Sequence, residues 1–86
     1  MMKKTLDIPD YSPEIGVLLK WENGAEIKVS TEHGEVLIEA NADGLTSFAN
    51  HLLNLAQTAV PSGTHIHLDE HNSLEDGSSP LIIEKL

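Results

Sequence analysis

The spacing of apolar residues changes period twice along this chain, and no other feature restricts its fold as tightly. Between Ile15 and Ala40 the period is two. Ile15, Val17, Leu19 and Trp21 alternate with Gly16, Leu18 and Lys20, and Ala25, Ile27 and Val29 alternate with Glu26, Lys28 and Ser30. Val36, Ile38 and Ala40 repeat the pattern within Glu35–Ala40. Successive strand residues point to opposite faces, so each run reads as a strand with one buried face. From Leu45 the period becomes helical: Leu45, Phe48, Ala49, Leu52, Leu55, Ala56 and Ala59, widened by Leu53 and Val60. Asp43 is the expected N-cap, with Asn41 as competitor. Pro61 and Gly63 end the helix. Alternation then returns, with Thr64, Ile66 and Leu68 on one face and His65 and His67 on the other. An apolar strand over Pro80–Leu86 closes the chain.

This order predicts a two-layer α+β domain, β-β-β-α-β-β, with a predominantly antiparallel sheet and one helix packed on one face. Residues 1–86 form a single small domain, and residues 1–13, with Pro9 and Pro13, form an irregular N-terminal segment. A three-residue loop, Glu22-Asn23-Gly24, joins the first two strands better than a two-residue Asn-Gly turn. It pairs Leu19 with Ile27 and Val17 with Val29, whereas a slip of one residue would mix buried with exposed positions. Gly24 then takes the left-handed conformation. The Thr31–Gly34 link is even in length and keeps Val29 and Val36 on one face. The expected core is Val17, Leu19, Ile27, Val29, Val36, Ile38, Phe48, Leu52, Leu55, Ile66, Leu68 and one face of residues 81–83. It is thin and aliphatic: a chain this short buries only about 60–65% of its unfolded surface, and its aromatic residues are Tyr11, Trp21 and Phe48 alone.

Charge narrows the function. Fourteen acids against five lysines, with no arginine, give a net charge of −9. Such a chain repels nucleic acid and anionic membranes and attracts basic partners; the plainer reading is that acidity keeps it soluble. Cysteine is absent, which excludes disulfides and thiolate metal sites. Lysines near the N-terminus are followed by no apolar run, and no stretch approaches a membrane span of about 20 residues, so the cytoplasm is the expected location. From Gly44 to Leu68 there is no Asp, Glu, Lys or Arg. The helix's polar face, Thr46, Ser47, Asn50, His51, Asn54, Gln57 and Thr58, is therefore either an ordinary amide-rich surface or one covered by a second copy or a partner.

The densest chemistry lies in residues 64–76. His65 and His67 share a strand face, about 6–7 Å apart along the chain. With Asp69, and His71 nearby, they have the spacing of a metal site. The run resembles the His-x-His-x-Asp-His motif of metallo-β-lactamase-type hydrolases, but a residue is inserted before the last histidine and the chain is far too short for the remaining ligands. A metal-binding protein using His65, His67 and Asp69 is thus the alternative reading, set against two histidines on the outer face of a sheet. No cofactor is otherwise indicated: there is no Gly-x-Ser-x-Gly elbow and no glycine-rich phosphate loop. Acid pairs such as Asp69/Glu70 and Glu75/Asp76 read as solvated loop residues, not as an enzyme's acid–base pair. What remains is recognition, with Asp69, Glu70, His71, Glu75 and Asp76 as the expected contacts to a basic protein.

Asn41-Ala42-Asp43-Gly44-Leu45, Leu52-Leu53-Asn54-Leu55-Ala56, His65-Ile66-His67-Leu68-Asp69, Leu74, Asp76-Gly77-Ser78 and Leu81-Ile82-Ile83 together resemble the immunity protein 32 family, small bacterial proteins of polymorphic toxin systems. The resemblance covers roughly residues 35–86. It implies a non-enzymatic immunity protein that binds a cognate toxin and blocks it. A homodimeric interaction module without a toxin partner is a further alternative.

Overall fold

The structure, a computed structural model, describes all of residues 1–86. Its elements are β1 (Ile27–Glu32), β2 (Glu35–Ala40), α1 (Ala42–Leu55), β3 (His65–Leu68) and β4 (Leu81–Glu84). β1 pairs antiparallel with β2, and β3 with β4, in two separate sheets. The fold is α+β, as the changing period requires.

The first expected strand is absent. Ile15–Trp21 forms no strand, and the region contributes only an isolated bridge between Ser12 and Gly16. The reason lies on β1. The edge where Val17 and Leu19 would pair is already taken by residues 75–79. Glu75 and Ser79 donate their N–H groups to the carbonyls of Ile27 (2.9 Å) and Val29 (2.8 Å). The Val29 N–H in turn donates to Ser78 Oγ at 3.1 Å. Leu19 still packs against the core, but from an irregular chain.

The turns follow the backbone chemistry. Gly24 is left-handed (φ 79), as expected, in a turn closed by Ala25 N–H donating to Glu22 O at 3.1 Å. The β1–β2 connection is tighter than the expected four-residue link. Glu32 pairs with Glu35. His33 (φ 52) and Gly34 (φ 78) are both left-handed, which matches a two-residue turn to the twist of its strands. Val29 and Val36 do share a face, but the register sets Val29 against Ile38 and leaves Val36 beyond the core, 62% exposed.

Ile27, Val29, Leu68 and Leu74 form the centre of the core, with Leu19, Ile38, Ala40, Phe48 and Leu81 packed around them. Leu55, Val60 and Ile66 are also buried. Leu52, expected inside, is exposed.

That exposure reflects the largest departure from expectation. α1 is turned so that its polar face is buried. Ser47, Asn50, His51 and Asn54 are buried beside Gly44 and Leu55, while Leu45, Leu52 and Leu53 face outward. The chain that precedes β1 covers the amides. Asn50 Nδ2 donates to Asp7 O, Asn54 Nδ2 to Leu18 O and Gln57 Nε2 to Pro9 O. Gln57 Oε1 accepts from Tyr11 N–H, and Ser47 Oγ from Glu22 N–H. A segment without a β-ladder must find other partners for its backbone, and these side chains supply them. The charge-free polar face is thus covered from within the chain.

Asn41, not Asp43, caps the helix. Its Oδ1 accepts from the N–H groups of Gly44 (2.7 Å) and Glu26 (3.0 Å), while Nδ2 donates to Gly24 O at 2.8 Å. An amide can do both, whereas an ionised carboxylate such as that of Asp43 offers no donor. Gly44 lies against Glu26, where a Cβ would overlap the carbonyl oxygen. The helix ends a turn early, at Leu55, and Val60 N–H closes a turn onto Gln57 O. Lys85 Nζ donates to the carbonyls of Gln57 and Val60, each at 2.7 Å, which ties the C-terminal end of the chain to the turn that follows the helix.

Candidate partner-binding surface

The acidic loop begins where β3 runs out. Ile66 and Leu68 are buried; His65 and His67 point outward, opposite Glu84 and Ile82 of β4. The chain then folds back on Asp69. Its carbonyl accepts from the N–H groups of Asn72, Ser73 and Leu74, and its carboxylate accepts from His71 N–H at 2.9 Å. Asn72 Oδ1 in turn accepts from Asp69 N–H at 3.1 Å. Such side-chain closure of a turn is characteristic of Asp and Asn. Buried Leu74 pins the loop into the core. Glu70 Oε2 accepts from Gly77 N–H at 2.8 Å. With residues 75–79 bonded to β1, the loop is an ordered ledge and not the freely solvated one its composition suggests.

The five expected contact residues divide within it. Asp69 and Glu70 spend carboxylate oxygens on the loop's own N–H groups. His71, Glu75 and Asp76 are exposed, and His71 Nε2 lies 3.8 Å from Glu70 Oε1. Glu75 turns toward the β1–β2 sheet. It shares a concavity of about 420 Å³ with Glu26, Lys28, Glu39, Ala40 and Asn41. Three carboxylates and one lysine thus line it. Glu26 and Glu39 were not among the expected contacts, yet the signal was present: Glu26 and Lys28 alternate with the buried Ile27, and the register sets Glu39 opposite Lys28.

The candidate metal ligands are not gathered. His65 and His67 are exposed, Asp69 is committed to its turn, and no three His, Asp or Glu side chains are placed to hold a metal ion. The buried histidine is His51. It is fully buried, its ring nitrogens have no hydrogen-bond partner, and desolvation lowers its pKa below 6.5. Burial disfavours the charged imidazolium, so the ring is neutral at pH 7.

The sequence model of one family, described as Immunity protein 32, matches residues 35–86. That segment includes β2, α1, β3, the acidic ledge and β4, and leaves out the N-terminal segment and β1. No curated protein and no solved structure matches the chain.

Proposed function

We propose that this chain, which belongs to the Immunity protein 32 family, binds and neutralises a cognate bacterial toxin in the cytoplasm of the cell that makes both. The family match over more than half of the chain is the observation that carries this reading. It implies a protein partner and a non-enzymatic role. No helix is long and apolar enough to cross a membrane.

Charge and rigidity supply the mechanism. A surface of −9 net charge raises the rate at which a basic partner is encountered, by roughly tenfold to a thousandfold at low salt. The ledge carries Asp69, Glu70, His71, Glu75 and Asp76, and Glu75 extends it toward Glu26 and Glu39. Because its backbone is already bonded to β1, it loses little freedom when a partner docks. The proposed contacts are these five residues, and a basic surface on the toxin is the complementary element.

The test is the salt and charge dependence of association with the toxin encoded beside this chain. E75K/D76K lowers the association rate by at least tenfold and flattens its dependence on ionic strength. An unchanged rate and unchanged protection would remove the ledge from the interface.

A further inference from the structure

α1 presents an outward stripe with no polar residue at its centre. Leu45, Ala49, Leu52 and Ala56 recur at helical spacing, flanked by Leu53. All five are exposed, the leucines at 56%, 43% and 52% in chain order. The stripe continues onto β4 through a groove of about 190 Å³ lined by Leu52, Leu55, Ala56, Ile83 and Lys85. Single exposed apolar residues need no explanation, but a contiguous set on one helix does.

The structure assigns this stripe to a second copy of the chain, packed as an antiparallel helix pair about a two-fold axis near Ala49. Two properties select that occupant. The first is charge. A second copy also carries −9, so any acidic face would oppose the contact. No charged residue occurs between Gly44 and Leu68, so the helical stripe is free of that repulsion, and the charged residue lining the groove beside it is a cation, Lys85. A basic partner would instead be drawn to the ledge and to the Glu26/Glu39/Glu75 concavity on the other elements.

The second is the internal symmetry of the stripe. Ala49 stands four residues from both Leu45 and Leu53. In an antiparallel two-fold pair, Ala49 meets Ala49 at the crossing, and each Leu45 meets Leu53 of the second copy. An isologous contact requires such self-complementarity. The small residue at the centre lets the axes approach to about 8 Å. The stripe is modest beside the roughly 1,000 Å² of total buried area that specific association needs, so the pair dissociates readily on dilution.

Sedimentation equilibrium and cysteine cross-linking test the dimer, independently of the toxin reading. The wild-type chain approaches twice its 9.4 kDa mass as its concentration rises toward the millimolar range. L45D and L52D, folded by circular dichroism, remain at the single-chain mass. The protein has no cysteine of its own. A49C therefore cross-links under mild oxidation many times faster than T31C, placed in the exposed β1–β2 hairpin. A wild-type monomer at millimolar concentration overturns the assignment. So does a dimer unmoved by both aspartates, or equal cross-linking by the two cysteines. Loss of toxin binding in L45D, with the wild type monomeric, would give the face to the toxin instead.

Discussion

Trp21 stands edge-on to His51, with ring centroids 4.3 Å apart and planes at 69°. One ring belongs to the irregular chain before β1 and the other to α1. Their contact closes the cover over a helix face that is polar and yet buried. The imidazole has no hydrogen-bond partner there. Its folded-state pKa lies below the ordinary 6.5, so the unfolded chain binds the proton more readily. The stability contributed by neutral His51 is complete above pH 6.5 and is lost as pH falls toward the lowered value. Melting temperatures measured between pH 7.5 and 5.5 will fall further for the wild type than for H51L. Equal losses would show that His51 binds its proton equally well in the folded and the unfolded chain.

Asn41 joins three segments, and its loss should cost more than an ordinary helix cap. Removing a cap costs about 1 kcal/mol. Here Glu26 N–H and Gly24 O lose the same partner. Urea unfolding should show N41A destabilised by about 2–3 kcal/mol, at the scale of a cap plus unsatisfied groups. N41D keeps the acceptor and loses only the donor to Gly24, so it should lose less than half as much. Equal losses would mean that the Gly24 bond carries the effect.

Gly44 gives a prediction whose sign opposes helix propensity. Alanine normally stabilises a helix interior by about 1 kcal/mol over glycine. At this position its Cβ would overlap Glu26 O and crowd Ile27. Overpacking of this kind costs about 1–3 kcal/mol. G44A should therefore lower the urea midpoint; a raised midpoint would mean that the Glu26 turn yields freely.

Ser78 is buried and accepts the Val29 N–H, the bond that fastens the ledge to the centre of β1. S78A leaves that N–H without a partner, at a cost of about 1–3 kcal/mol. Amide exchange should accelerate at Val29 and Ser79 while the β1–β2 ladder stays protected. Unchanged exchange at both would mean that the ledge is held by other contacts.

The sequence made β1, β2, β3 and β4 legible because each alternates or runs apolar between clear turn residues. It placed Ile27, Val29, Ile66 and Leu68 inside for the same reason. Ile15–Trp21 alternates just as well, yet forms no strand, because the edge it needs is held by Glu75–Ser79. Period reports a preference for one face; it says nothing about competition for an edge. The orientation of the helix does not follow from its apolar spacing. Leu45, Leu52 and Leu53 look like a core stripe, but Asn50, Asn54 and Gln57 collect the backbone carbonyls of Asp7, Leu18 and Pro9. The absence of charge on that polar face was the usable signal, and it pointed to a cover that the chain itself supplies. At the ledge the acids were visible. Their division into turn-closing Asp69 and Glu70 and outward Glu75 and Asp76 depended on bonds that composition does not encode.

The most direct test is co-expression of this chain with the toxin encoded beside it, followed by growth measurement and purification of the complex. The account predicts that cells survive toxin induction only when the chain is present, and that the two proteins purify together in equal amounts. Survival without a complex, or a toxin fully active in the presence of excess folded chain, would contradict it.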